Sequence, residues 1–449
     1  MIPSAFMYLA LMLAVICFWF MLLKRPVYES MFIAFIALVA LTGSWSKLFT
    51  YFQAGLKTSL LYSMTVFVAL SMLLTKTGII DGAVNIILSL LGRITGGTGY
   101  AAVTASSFMG ALSGSGPGNV MTTGTITIPA MKRAGFPPEL AANIESTSSY
   151  LGNMIPPSAN IMAALGAFTA LYPEAEMTSG KFWVVCWGCS LWFIAQRLIT
   201  VFAFCKVYNV RPMDEKDIPD FRTSLRKGWK GLLLPVIILA PFVLDFFLKT
   251  TFFTERLGKT GSGYFSSSML FFIAGVAAFY TLLVSPVKLS SLADTFSDGA
   301  KNLSVTVGTC IFGYMIGALF KDLNISGELQ EFLSSLKMGR LALAMYLPLI
   351  LCFMGMIIPG SSIVVVFGSS VIAMFAQAGV SPVLAAAMLP CICGVMCGIT
   401  PPLALGMYAG MSLAGSDFRK TVLNDIWWVI LQYLMEVIIL LGLLPVMGV

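Results

Sequence analysis

Apolar positions run through this chain in blocks too long to be the buried faces of a soluble domain. Phe6–Leu23, Met31–Thr42, Leu60–Leu74, Phe182–Val207, Leu232–Leu248, Met269–Val284, Val305–Leu319 and Asp425–Val449 each read as a spanning helix, because about 20 apolar residues cross the hydrocarbon of a bilayer. Counting the shorter blocks between them, roughly ten to twelve segments enter the membrane. The pattern predicts an all-α polytopic membrane protein. The first block has no basic stretch ahead of it and no small-residue cleavage site, and Lys24-Arg25 follow it; it reads as a span rather than a leader. Polar residues take over at length in "YNVRPMDEKDIPDFRTSLRKGWK" (208–230), a connecting loop of mixed charge near the chain's midpoint.

Helix-breaking stretches lie inside the apolar background. "SGSGPGNVMTTGTITIP" (113–129) holds four glycines, two prolines, two serines, four threonines and an asparagine. A second break is "GNMIPPSAN" (152–160), and the other half of the chain has its own pair, "IIPGSS" (357–362) and "GITPPLALG" (398–406). These pairs correspond. "AGFPPELAANIESTSSYLGNMIPP" ends at Pro157 and "AGVSPVLAAAMLPCICGVMCGITPP" at Pro402; Met109-Gly110 answers to Met354-Gly355, and "FQAGLK" (52–57) to "FSDGAK" (296–301). The separation is 244 or 245 positions throughout, which reads as an internal duplication. Gly110, Gly114 and Gly118 also fit the spacing of close helix packing through small residues.

Composition and charge narrow the classes. Only 10% of the 449 residues are charged and 58% are hydrophobic, against roughly 25% charged in soluble proteins; the mean hydropathy is +0.90. There is no histidine, so no serine–histidine or cysteine–histidine hydrolase can be built, and no Gly-x4-Gly-Lys-Ser/Thr loop is present to drive transport by ATP directly. An enzyme is not expected. The net charge of +7 needs no nucleic-acid partner. With Lys24-Arg25 cytoplasmic and 113–129 the turn of a re-entrant hairpin, Lys76, Arg93, Lys132, Arg133, the 206–230 loop, Lys288, Arg419 and Lys420 thread to the same side, as the positive-inside rule requires. The second hairpin, near Pro359-Gly360, then enters from the opposite side, so the halves are inverted. Of the nine cysteines, Cys391, Cys393 and Cys397 cluster without a standard metal spacing and read as small packing residues.

Inverted repeats with interrupted helices at matching positions point to a secondary transporter. A broken helix leaves carbonyls at one end, which with Ser and Thr hydroxyls suit sodium, and N–H groups at the other, which suit an anion. Glu145 lies eight residues past Pro137, about 12 Å along a helix. It either couples an ion or proton, or bonds locally to "STSS" (146–149) or to Arg197, which sits mid-span in "WFIAQRLITVF". A channel would call for rings of charge, and none is found; a membrane scaffold has no use for duplicated polar breaks.

The stretch from "TKTGIIDG" through "GALSGSGPGNVMTTGTITIPAMKRAGF" to "GNMIPPSANI", with "GITPPLALGMYA" in the second half, resembles the large membrane subunit of TRAP (tripartite ATP-independent periplasmic) transporters. "SGS…GTITIP.MKR.G" is closest to the TAXI-type branch. The resemblance spans about residues 50–449. It implies the ion-transporter superfamily fold, elevator-type movement, sodium-coupled uptake of a small organic anion, and a place in the bacterial inner membrane. It implies two partners, a small four-helix membrane subunit and a periplasmic substrate-binding protein. The alternative is a stand-alone sodium- or proton-coupled carboxylate carrier. TAXI-type chains often carry the small subunit fused at the N-terminus, for which this chain has no room, and Pro117-Gly118 stand where many relatives have small apolar residues. By carry-over, sodium sites involve Ser113, Ser115, Asn119, Gly152 and Pro156 in one half, and Gly360, Ser361, Gly398 and Thr400 in the other. Thr122, Thr123, Ser158, Asn160 and Ser362 are candidate substrate contacts. The expected layout is scaffold helices over 1–48, a first repeat over 49–207 with its hairpin near 97–133 and broken helix at 137–172, the 208–230 loop, and scaffold helices over 231–290. A second repeat over 291–449 carries its hairpin near 341–378 and broken helix at 381–414.

Overall fold

Helix caps and glycines, more than hydropathy, set where the elements begin and end. In this computed structural model the described residues are 4–449 without positions 58, 114–115, 176, 249–251, 288, 326, 329–330, 332–337, 357–359 and 402. The first half contains α1 (Ser4–Cys17), α2 (Val27–Thr42), α3 (Leu48–Lys57), α4 (Ser59–Thr77), α5 (Ile79–Leu91), α6 (Gly97–Ser113), α7 (Gly116–Arg133), α8 (Pro138–Leu151), α9 (Ala159–Leu171) and α10 (Ser179–Val207). After it come α11 (Phe221–Gly228), α12 (Leu233–Leu248), α13 (Thr254–Val284) and α14 (Leu289–Asp322). The chain then continues as α15 (Arg340–Gly355), α16 (Gly360–Gln377), α17 (Pro382–Ile399), α18 (Leu405–Ala414) and α19 (Phe418–Leu440). Among the described residues there is no strand, and five helices are long and apolar enough to cross a membrane: α10, α16, α17, α19 and the composite of α8 and α9.

The last helix differs from the hydropathy reading of 425–449. Asp417 accepts the Lys420 N–H at 3.0 Å and starts it earlier, as an N-cap carboxylate does. Gly442, in the left-handed region at φ 73°, stops it before the apolar tail is used up. Similarly α14 begins well ahead of Val305, and α13 starts at Thr254 and carries a non-helical Gly258.

Repeat correspondence holds in three dimensions. Both α8 and α17 open on a proline at the first helical position, Pro138 and Pro382, 244 apart, where its missing N–H costs nothing. Between Pro390 and Val395 α17 widens into a π-helical turn, which takes up one extra residue. Beyond it the spacing is 245, which accounts for the separation of the Pro-Pro pairs; the 245 between Met109 and Met354 lies ahead of this turn and has another origin. The hairpin arms agree: Gly116 and Gly360 open α7 and α16, and Gly124 and Gly368 occupy the same place within them. A Cβ on Gly124 would lie 3.1 Å from Glu145 and one on Gly368 would lie 3.2 Å from Leu389, the residue equivalent to Glu145.

The repeats interlock. α7 and α8 pack on α18, and α16 packs on α9, so each hairpin arm lies against the second half of the other repeat's broken helix. Around this centre α14 packs on α2, α3, α4 and α16, and α10 packs on α6, α12, α17 and α19. The Lys47–Asp322 ion pair, at 2.9 Å, ties α14 to the turn before α3.

Candidate functional site

Two broken helices and two hairpin tips converge at the centre. In the first repeat the backbone turns at Gly152–Met154 and crosses the end of α6 there. A side chain on Gly152 would strike the backbone of Gly110 and Ala111, and one on Gly110 would strike the Ser149 carbonyl. The second repeat repeats the crossing: a side chain on Gly360 would meet the Cys393–Gly394 backbone, and one on Gly355 would lie 2.7 Å from Cys397. The Gly360 N–H points at Cys397 Sγ, 3.1 Å away. Asn153 bridges the two breaks by donating to the Gly394 carbonyl at 3.3 Å, and the Asn160 amide lies against Gly394 as well. Ser158 caps α9, accepting from Ile161 N–H at 3.3 Å and donating to the Asn153 carbonyl. Pro156 is buried and its peptide bond to Pro157 is cis. Thr400 is extended, and its hydroxyl donates back to the Met396 carbonyl at 2.6 Å.

A polar cage fills the first repeat only. Glu145 is fully buried. Its Oε1 accepts from Ser106 at 2.7 Å, Thr123 at 2.5 Å and Ser149 at 3.0 Å, and its Oε2 from Thr127 at 2.5 Å. Asn119 completes the cage: Nδ2 donates to the Ser106 carbonyl at 2.8 Å and to Ser149 Oγ at 2.9 Å, while Oδ1 is buried and unpartnered. At the equivalent places in the second repeat stand Ile363 for Asn119, Phe367 for Thr123, Val371 for Thr127 and Leu389 for Glu145. The duplication therefore gave two crossings and one cage. Such an array of hydroxyls around a carboxylate holds either a bare carboxylate, a proton or a small hard cation.

The expectation that Glu145 pairs with Arg197 is corrected. Among the described residues the ion pairs are Lys47–Asp322 and Lys216–Asp214. Arg197 is buried in a separate network, donating to Gln196 and, at 2.5 Å, to Gln432. Gln432 in turn donates to Glu436 at 2.9 Å. α10 and α19 hold this cluster together, away from the α6–α8 cage. The bonding of Glu145 within 146–149 holds for Ser149 alone.

Other sequence candidates scatter. Thr122 is half-buried and donates to its own helix at the Gly118 carbonyl, 3.0 Å away. Ser362 is buried with an unpartnered hydroxyl, and Ser361 is half-buried on the next helical position. Ser113 closes α6, whereas Ser115, Gly114, Pro359 and Pro402 lie outside the described residues. Of the small-residue series, Gly110 makes a close crossing but Gly118 is exposed.

Residues 6–447 match the family described as the DctM component of tripartite ATP-independent periplasmic transporters. The chain belongs to this family. Among curated relatives, the C4-dicarboxylate TRAP transporter large permease protein DctM of Pseudomonas aeruginosa is 33% identical over 168 residues, 37% of each chain. The DctM protein of Rhodobacter capsulatus is 25% identical over 45% of this chain and 47% of its own. These two alignments thus span less than half of either relative. The sialic acid TRAP transporter large permease protein SiaM of Vibrio cholerae is 22% identical over 85% of this chain and 84% of its own. Two solved structures share the fold. MtrF of Neisseria gonorrhoeae, described among antimetabolite efflux pumps, aligns with a TM-score of 0.64 at 14% identity over 89% of this chain and 83% of its own. YdaH of Alcanivorax borkumensis aligns with a TM-score of 0.55 at 15% identity over 86% and 88%.

Several residues of this DctM-family chain escaped the sequence reading. Ser106 and Thr127 join the cage, and a signal for Thr127 was present: Asn119, Thr123 and Thr127 recur every four residues, which puts them on one face of a helix. Tyr150 had no such signal. Its buried ring occupies a cradle of three glycines, Gly116 from the first hairpin and Gly398 and Gly406 from the second repeat; a side chain on any of them would strike it. Gly398 is thus placed by packing against an aromatic ring of the other repeat.

Proposed function

We propose that this DctM-family chain is the large membrane subunit of a sodium-coupled importer of a small organic anion. It works in the bacterial inner membrane with a periplasmic substrate-binding protein and a small four-helix membrane subunit, and the paired repeats move against the scaffold helices in an elevator-like way. The observation that carries the reading is the pair of glycine crossings, Gly110 on Gly152 and Gly360 on Cys393–Gly394, joined through Asn153. Irregular backbone at membrane depth persists only where it is buried in protein or lines a cavity, and broken helices at the midplane are how secondary transporters bind ions and anions. The names of the relatives from Pseudomonas and Vibrio both specify carboxylates, which supports a carboxylate substrate. The TAXI-type affinity of "GTITIP" belongs to the same reading.

The test is uptake into proteoliposomes, with binding protein and small subunit supplied. Replacing sodium by choline at constant pH abolishes uptake if the reading is right. Ser113→Ala and Ser361→Ala each weaken the sodium dependence, since each removes an oxygen ligand. The one-sided cage supports a second reading in which Glu145 carries a proton as the coupling ion. Undiminished uptake under a proton gradient without sodium favours it and overturns the first.

A further inference from the structure

A cavity of about 780 Å³ opens between α3 and α14 on one side and α9 and α16 on the other. Its volume is that of a small-molecule site. Lys57 at the end of α3 and Lys321 at the end of α14 both line it, with Asn324, Thr169 and Ser369. None of the described residues lining it is acidic. Lys57 donates to the neutral Gln53 at 3.1 Å, and neither lysine forms an ion pair with a described residue. The nearest carboxylate in sequence, Asp322, is engaged elsewhere by Lys47 at 2.9 Å and Tyr51 at 3.0 Å. The cavity therefore presents net positive charge: Asp322 acts on Lys321 from outside the lining and is shared with Lys47.

Its position adds to this. With the basic loops cytoplasmic, α14 runs outward and carries Lys321 to the outer side; α3 turns back along α14, with Tyr51 beside Asp322 and Gly55 against Ile311, so Lys57 lies deeper in the same cleft. Positive-inside bias depletes the outer side of lysine, yet Lys321 and the deeper Lys57 line one cavity. α9 and α16 are the second half of the first broken helix and the returning arm of the second hairpin, so the cavity leads from the outer face toward the two crossings. A low-dielectric cleft lined by one sign of charge concentrates counter-ions.

We propose that this cavity is an outer anion vestibule, in which Lys57 and Lys321 receive a compact soluble carboxylate on its way to the core. It deepens the importer reading and rests on it for the direction of traffic. Thr169 and Ser369, whose hydroxyls donate to the Gly166 and Ala167 carbonyls at 3.2 Å, and Asn324 give the same cavity a polar lining, and two ammonium groups suit a dicarboxylate or hydroxycarboxylate.

The experiment places a single cysteine, Ser369→Cys or, on the neighbouring helix, Thr169→Cys, in a chain freed of native cysteines and reconstituted in phosphatidylcholine vesicles at low salt. Sulfonatoethyl and trimethylammonioethyl methanethiosulfonates are added outside, and each rate is divided by its rate with a free thiol. The vestibule predicts a normalised preference of about tenfold for the anionic reagent, falling to near one in Lys57→Gln/Lys321→Gln, and slowing of the reaction by succinate. A ratio near one with both lysines present, labelling only from the inner side, or indifference to succinate overturns it. Slowing by added phosphatidylglycerol but not by succinate makes the cavity a lipid headgroup site, which also overturns it. Labelling needs no transport, so uptake measured on the same vesicles separates failure of the vestibule from failure of the importer reading.

Discussion

Glu145 receives four hydroxyl groups and forms no ion pair with a described residue. What the cage contributes depends on the charge it holds. A hydrogen bond to an ionised group stabilises by about 1.5–3 kcal/mol, whereas one between neutral groups stabilises by about 1 kcal/mol. Thr127→Val removes the one bond that Oε2 receives from the described residues, with little change of shape. A loss of about 2 kcal/mol or more in detergent unfolding marks a charged Glu145, and a loss near 1 kcal/mol marks a protonated one. Glu145→Ala removes the shared acceptor and leaves a void, and costs more than either, although Ser106 keeps Thr123 Oγ1 at 3.0 Å and Thr123 and Thr127 keep backbone carbonyls of their own helix at 2.9 and 3.0 Å; Glu145→Gln keeps an acceptor and sits between. Part of this site was legible in the sequence. The acid, Thr123 and Asn119 stood out as polar groups on apolar helices. Ser106 did not, because its role depends on α6 lying across α7 and α8, and such a crossing leaves no local trace. Arg197 was misassigned for the same reason: two lone charges in apolar spans invite pairing, and only the packing of α10 on α19 shows that the arginine turns to Gln432 instead.

At the scale of elements, glycine decides how closely the breaks approach. Gly152→Ala and Gly360→Ala each drive a methyl into facing backbone, and backbone cannot swing aside as a side chain can. Each should lose at least the 1–3 kcal/mol typical of overpacking and abolish uptake. Gly275→Ala is the control: nothing lies within 4 Å of the added carbon and its φ is ordinary, so folded yield and uptake should stay unchanged. Size-exclusion profiles of the three variants, with uptake alongside, check this, and a fully active Gly152→Ala would contradict the crossing. The duplicated elements themselves could be read from the sequence by their matched prolines and glycines. The step from 244 at Pro138 and Pro382 to 245 at the Pro-Pro pairs could not be explained there, because a π-helical turn at Pro390–Val395 has no hydropathy signature. Helix ends moved for a related reason, since Asp417 and Gly442 act on backbone groups that a hydrophobic profile ignores.

The whole molecule is two interlocked repeats with α2, α10 and α14 packed around their centre, and its account as a transporter rests on the repeats being inverted. If they are, the two crossings face each other from opposite sides and a single centre can open alternately; if they are parallel, the breaks are only kinks. The most direct measurement is sidedness at the two hairpin exits. Lys132 is exposed near the end of α7, and Ser381 lies between α16 and α17. Lys132→Cys and Ser381→Cys, each in a chain freed of its native cysteines, are exposed in oriented vesicles to a membrane-impermeant maleimide. Because Lys132 also donates to the Ala414 carbonyl at 2.7 Å, Arg133→Cys serves as its duplicate. The account predicts labelling of positions 132 and 133 from the cytoplasmic side only and of 381 from the outer side only. Labelling of both exits from the same side would contradict the inverted arrangement and, with it, the shared central site.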